Sequence, residues 1–231
     1  MNLSTRSYEL ELLDQPSIPF ADIKQNMKEL DFINTWLGGH QITIDGFRQL
    51  VGDRKEINVC EIGCGGGDNL VAINSWCKKK GIKLSIIGID IKEECIEFAK
   101  TRQHLFSSVT WITNDYLKAV FEEKPDIIFS SLFCHHFTSS QLITQLKWMK
   151  KNSQLGFFIN DLQRNWIAYH SIRLLTQLFS KSYLVKNDAP LSVARGFTKK
   201  ELLAICENAN IDNVNISWKW AFRYLVLYKN G

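Results

Sequence analysis

No C-x-x-C pair occurs among the six cysteines, no basic stripe runs along the 231-residue chain, and nowhere do about 18 apolar residues follow one another without interruption. The first absence excludes metal knuckles, so Cys60, Cys64, Cys77, Cys95, Cys134 and Cys206 are expected as reduced, mostly buried thiols. The 28 basic and 24 acidic residues are scattered and leave a net charge of +4, which makes nucleic acid an unexpected partner. Lys78, Lys79 and Lys80 form the one compact basic run, and cations at a helix C-terminus before Gly81 account for it. Without an apolar spanning run, and with the polar, acidic start "MNLSTRSYELELLD", stable membrane insertion is not expected and a cytoplasmic location follows by default. Repeats and low-complexity linkers are absent too. A composition of 45% hydrophobic and 23% charged residues then describes one soluble globular domain.

Apolar residues at steps of three and four (Ile23, Met27, Leu30, Ile33, Leu37) predict a helix over 21–37, closed by Gly38 and Gly39, and a second, shorter helix spans 44–51. The period then changes. Short β-rich apolar runs at 57–62, 84–90, 109–113, 126–133 and 156–160 alternate with helical stretches at 69–80, 92–104, 117–122 and 139–151. Such alternation builds a doubly wound, mostly parallel α/β sheet. Residues 162–196 break it as a helical insertion carrying Trp166, Tyr169, Ile172, Leu175 and Phe179. Thr198 and Glu201 then form a capping box, with Phe197 and Leu202 as its hydrophobic staple. Finally "NVNISWKW" and "RYLVLYK" form a hairpin, so the seven-stranded sheet ends on an antiparallel strand. The expected organisation is an N-terminal helical cap over 1–54 and a core over 55–231, with the insertion as a helical lid.

The stretch "VCEIGCGGGDNL" places Gly63, Gly65, Gly66 and Gly67 between the first parallel strand and its helix, where bare main chain can touch a ligand. A dinucleotide loop G-x-G-x-x-G is excluded, because the sixth position counted from Gly63 is Asp68, a carboxylate where pyrophosphate would lie. No lysine follows the glycines, so a phosphate-cradling loop is excluded as well. Glu61 and Asp68 suit a ligand without phosphate that carries positive charge.

"EIGCGGGDNL" resembles the E/D-x-G-x-G-x-G loop of the class I S-adenosylmethionine-dependent methyltransferases. The resemblance covers about residues 55–161, and the closing helix and hairpin fit it. It implies a Rossmann-like methyltransferase fold and S-adenosylmethionine as cofactor, with S-adenosylhomocysteine as its product. Glu61, Gly63, Gly65 and Gly67 would hold the cofactor, with Asp90 on the ribose hydroxyls, Asp115 on the adenine amino group, Ile91 and Tyr116 on the ring, and Ser131 at the fourth strand's end. Each acidic residue also has a plain structural reading: Asp90 as a cap for the next helix, Asp115 as a turn former, Glu61 as a buried ion-pair partner.

Near the end of the fourth strand the chain reads "SSLFCHHF", without the Asn/Asp-Pro-Pro-Tyr pattern of amide-nitrogen methylators. That points to oxygen, or carbon, on a small-molecule acceptor. The "HHF" segment resembles that of quinone-biosynthesis methyltransferases, and an imidazole titrates near neutral pH, so His136, His135 and Asp161 are the catalytic candidates, His136 preferred over His135. Arg164, Tyr169, His170, Arg173 and Arg195 are candidates to line the acceptor pocket, although helix packing accounts for most of them equally well. The segments "NDLQR" and "LVKNDAPLSVARGFTKKEL" resemble a bacterial subfamily tied to aromatic polyketide-type metabolism. No metal is expected, since Asp126 begins its strand and leaves Asp161 without a carboxylate partner. Monomer and homodimer stay open. The competing readings are a non-catalytic cofactor-binding protein and a nicotinamide oxidoreductase, the latter disfavoured by Asp68.

Overall fold

A computed structural model describes residues 2–15 and 18–230. Strands β1 (Glu56–Ile62), β2 (Lys83–Asp90), β3 (Val109–Thr113), β4 (Ile127–Ser131) and β5 (Gly156–Leu162) run parallel, and the hairpin of β6 (Asn215–Lys219) and β7 (Arg223–Lys229) completes one sheet in the order β3-β2-β1-β4-β5-β7-β6. β7 inserts antiparallel beside β5, and β6 forms the edge. Every residue of β4 is buried, as a parallel strand covered on both faces requires.

Helices α1 (Phe20–Trp36), α2 (Gly39–Val51), α3 (Asp68–Lys80) and α4 (Glu93–Lys100) precede β3; α5 (Ser139–Asn152), α6 (Trp166–Phe179), α7 (Tyr183–Arg195) and α8 (Lys199–Asn208) follow β4. On one face Phe47 and Leu50 of α2 and Leu70 of α3 meet Val59, Phe129 and Phe158. On the other, Leu142 and Leu146 of α5 and Ile205 of α8 meet Ile128, Phe157 and Val226. Among the described residues no helix is long and apolar enough to cross a membrane. All six cysteines are buried and unpaired.

Departures from the sequence expectations have local causes. Gly38, at φ 74°, ends α1 and caps α2, which starts at Gly39 rather than at 44. Of the three buried α2 residues ahead of 44, Gly39 and Thr43 carry no apolar signal and only Ile42 does. Over 117–122 there is only a 3-10 turn, Tyr116–Lys118. The fourth strand stops at Ser131, because Leu132 adopts φ 52° and turns the chain. Residues 162–196 form two helices, and of the residues expected on their apolar face Trp166, Leu175 and Phe179 are exposed. The Thr198–Glu201 capping box is present, with the Thr198 N–H donating to Glu201 Oε2 at 2.7 Å.

Candidate active site

The glycine loop turns because three of its residues adopt left-handed backbone: Gly63, Gly65 and Gly67 have φ of 64°, 50° and 73°. Asp90, at the tip of β2, braces the loop. Its Oδ2 accepts from the Gly65 N–H and its Oδ1 from the Lys92 N–H, each at 2.9 Å. Asp90 does not cap α4, whose N-cap is Lys92 without a side-chain cap bond; it lies beside the loop, and burial raises its pKa. Asp90 lines a cleft of about 330 Å³ together with Gly63, Ile91, Asp115, Tyr116 and Phe133. Five of the expected cofactor residues therefore share one wall. Asp115 also makes the anticipated turn, accepting from the Leu117 N–H at 3.0 Å. Tyr116 packs edge-on against Phe133, Phe137 and Trp148.

Glu61 and Ser131, both expected at the cofactor, do not line this cleft. Glu61 is 1% exposed; Oε1 accepts from Asn69 Nδ2 at 3.1 Å and Oε2 has no partner. Burial, with the charges of Asp68 and Asp90, raises its pKa well above the carboxylate range. The unpaired acceptor under the loop fits a ligand bearing an ammonium group, and the bare glycine backbone fits a nucleoside without phosphate. Ser131 is not among the cleft-lining residues: its hydroxyl accepts from Asn160 Nδ2 at 3.2 Å, because strand alternation turns it toward α2. Asp68 does not await a cationic ligand either. His40 of α2 stands 2.8 Å from its Oδ2 and, with Arg102, holds its pKa low against the pull of burial.

The 3-10 turn Cys134–His136 follows the strained Leu132 and brings an imidazole to the tip of β5. His135 Nδ1 lies 2.7 Å from Asp161 Oδ1, and the His135 N–H donates to Asp161 Oδ2 at 3.2 Å. On the other side of the ring, Nε2 is 3.6 Å from Glu11 Oε1. Of the two histidines only His135 contacts Asp161; the nitrogens of His136, the expected first choice, face Glu11 at 3.8 Å and Asp14 at 3.5 Å. Burial opposes protonation of His135, but the charge and hydrogen bond of Asp161, aided by Glu11, override it and raise its pKa to about 9. Asp161 and Glu11 are held low in return against their own burial, chiefly by His135; Asp14 falls to about 2, chiefly through His136.

Stability should follow these shifts. A raised histidine pKa gives a contribution complete below the ordinary value of 6.5 and lost as pH rises through about 9. The depressed carboxylates contribute above their unfolded values and lose that contribution in acid. The melting temperature is expected to fall by several degrees between about pH 7 and about pH 9.5, and His135→Gln to flatten the slope. Differential scanning calorimetry across that window checks it, a flat wild-type profile being the contrary result.

The acceptor-side candidates are not gathered into a pocket. Arg164 pairs with both carboxylate oxygens of Glu201, at 3.0 and 2.8 Å, and reaches the Gly196 carbonyl. Arg195 donates to the His135 and His136 carbonyls at 3.2 and 2.9 Å and pairs with Asp14, so it shapes the histidine turn. Tyr169 is buried against Val193 and Ala194, while His170 and Arg173 are exposed. Sequence reasoning missed the N-terminal segment altogether. Arg6 donates to the Phe137 and Arg195 carbonyls at 2.9 Å; Asp188 accepts from the Leu12 and Leu13 N–H groups at 2.8 and 3.0 Å; Ser192 donates to Glu11 at 2.7 Å. The quoted "NDAPLSVAR" stretch is therefore a clamp for residues 6–14. The expectation of no metal weighed only Asp126 and Asp161, whereas Glu11, His135 and His136 bring three ligand atoms within 4.8 Å of one another. A protonated His135 between two carboxylates accounts for that cluster as an ion-pair network.

A family model for the methyltransferase domain matches residues 53–210, and the chain belongs to that family. The sheet order and glycine loop are those of class I S-adenosylmethionine-dependent methyltransferases. No curated protein matches the sequence. Among solved structures, the plantazolicin methyltransferase BpumL in complex with SAH is 17% identical over 91% of this chain and 90% of that one, with a TM-score of 0.66. A SAM-dependent methyltransferase from Aquifex aeolicus is 16% identical, covering 92% and 99%, with a TM-score of 0.61. Human N-acetylserotonin methyltransferase in complex with SAM is 16% identical with a TM-score of 0.64, and the match spans 92% of this chain but 57% of the human one.

Proposed function

We propose that the protein transfers the methyl group of S-adenosylmethionine to an oxygen of a small aromatic or otherwise hydrophobic metabolite. The observation that carries this reading is the cleft that joins Gly63, Asp90 and Asp115, with the His135–Asp161 pair at the neighbouring strand tips. When bound, S-adenosylmethionine supplies a methyl group on a good leaving group, so the protein's part is alignment and proton handling. Asp90 and Asp115 would hold the nucleoside by accepting its hydrogen bonds, and Phe133 and Tyr116 would exclude water from the cleft they line. Asp161 fixes His135 through Nδ1 and leaves Nε2 as the atom that takes the acceptor's proton. In the present arrangement Nε2 faces Glu11 and the raised pKa keeps the ring charged, so the acceptor reaches Nε2 only after residues 6–14 withdraw, and the ring takes its proton only after losing its own to solvent. That segment and α6–α7 act as the lid over the acceptor side. Carbon remains the alternative acceptor atom. A cytoplasmic place and a role in secondary metabolism complete the reading, the six unpaired cysteines supporting the former.

Isothermal titration with S-adenosylhomocysteine is expected to give one site per chain and a thermal shift of several degrees. No heat and no shift would sink the proposal, and heat from a nicotinamide dinucleotide would replace it. A second reading, cofactor binding without turnover, is favoured by one observation: Glu11 already covers the outer face of His135. It predicts that a bound, radiolabelled methyl donor transfers nothing to a panel of phenols and hydroxy-acids, from wild type and Glu11→Gln alike.

A further inference from the structure

Arg223 opens β7 and is 2% exposed. Its Nη2 donates to Asn34 Oδ1 at 2.8 Å, while Nε and Nη1 have no partner. The other buried arginines are satisfied differently: Arg164 pairs with Glu201 and Arg195 with Asp14, while Arg6, which among the described residues has no ion pair and an unpartnered Nη1, still donates to three backbone carbonyls against the single acceptor of Arg223. Among the described residues no carboxylate stands within ion-pairing distance of Arg223; Asp161 and Asp68 act on it only through space, and burial still drags its pKa down to about 10. An uncompensated buried cation is among the most costly features a fold can retain, and removing it in favour of an apolar side chain usually does no harm. Its retention calls for an anion.

The surroundings say what kind. Arg223 pairs with Leu162 across the β5–β7 ladder, which puts it on the same sheet face as Asn160, two residues back along β5. Asn160 Oδ1, on neighbouring β5, and Glu61 Oε2, on β1 three strands along the sheet, are buried without partners, so unmet acceptors stand at the same end of the sheet as the unmet donors. Asn160 is tied to the Gly39 carbonyl at 3.1 Å, and a Cβ on Gly39 would lie 2.7 Å from Arg223 Nη1, leaving bare main chain beside the guanidinium. Asn34 connects Arg223 to Asp68, the first residue of α3, through a 3.5 Å contact.

We propose that Arg223 and Asn34 form a buried carboxylate-binding subsite at the tips of β5 and β7, next to the glycine loop. The inference rests on the function proposed above. Two sources supply that chemistry: the amino-acid end of the cofactor, whose ammonium would meet Glu61, and an acid group on the methyl acceptor.

The test compares S-adenosylhomocysteine with methylthioadenosine, the same nucleoside thioether without the amino-acid group, on wild type and Arg223→Met by calorimetry. A loss of about 30-fold or more confined to S-adenosylhomocysteine assigns the cofactor's carboxylate. Unchanged affinity for both, with benzoate binding the S-adenosylhomocysteine-loaded wild type but not Arg223→Met, assigns the acceptor's. In either case ligand-free Arg223→Met melts no lower than wild type. The subsite is overturned if both nucleosides are unaffected and benzoate does not bind, or if both weaken together in a variant of lower melting temperature. Should Arg223→Met not fold, the arginine Nε–H resonance of ¹⁵N-labelled wild type decides: it moves on adding S-adenosylhomocysteine or benzoate but not methylthioadenosine if the subsite exists, and is still in all three if it does not. Failure of wild type to bind S-adenosylhomocysteine at all is a separate outcome that removes the proposed function, and benzoate binding to the free protein then decides Arg223 alone.

Discussion

Asp161→Ala is expected to lose about 3–5 kcal/mol of folding stability, because it leaves the charge of His135 inside the protein with its main partner gone. Asp161 is 2% exposed and accepts three hydrogen bonds: from His135 Nδ1 at 2.7 Å, from the His135 N–H at 3.2 Å and from the Leu162 N–H at 2.7 Å. Glu11 offers only a 3.6 Å contact in compensation, from a segment held by side-chain clamps. With the carboxylate removed, burial dominates and His135 should titrate well below about 9. Asp161→Asn separates the two roles: it keeps an acceptor and the volume, so its loss of stability should be smaller, while methyl transfer to a phenolic acceptor should still fall by about 10²–10⁴-fold. Calorimetric melting and the ¹⁵N shifts of His135 provide the measurements. A wild-type-like melting temperature for Asp161→Ala would mean that the pair carries no charge and the dyad argument fails.

What could be seen in the sequence was local. Four glycines behind an apolar strand, acidic residues at successive strand ends, and a Thr–Glu pair three apart each act through neighbouring backbone, and the structure places all of them where spacing puts them. Long-range contacts were hidden. Arg164 and Arg195 read as substrate ligands because an arginine near a site suggests an anion, yet most of their donors end on backbone carbonyls of distant segments. Residues 6–14 carried no apolar period, and their contribution is a set of charged contacts with residues beyond 130 that no window along the chain would reveal. His135 and His136 are equivalent as letters. Only the alternation of β5, which turns Asn160 toward α2 and Asp161 toward the opposite face, separates them.

The same distinction between backbone need and side-chain space applies to the glycines of the loop, and it yields the second large effect. Gly63 and Gly65 both occupy left-handed backbone, at φ 64° and 50°, so alanine at either carries a conformational penalty of about 1–2 kcal/mol. Their surroundings differ. A Cβ on Gly63 would collide with the Phe133 ring, whereas one on Gly65 meets nothing within 4 Å. Gly63→Ala therefore adds overpacking, about 1–3 kcal/mol more, and drives Phe133 into the cleft it lines with Asp90. S-adenosylhomocysteine binding should drop below detection. Gly65→Ala should melt only a few degrees below wild type, yet its methyl group projects into the open space over the loop, where the cofactor is proposed to touch main chain, and affinity should still fall about tenfold or more. Melting curves paired with calorimetric titrations separate the two. Equal stability losses would show that Phe133 yields freely, and unchanged affinity in Gly65→Ala would show that nothing comes close to the glycine backbone.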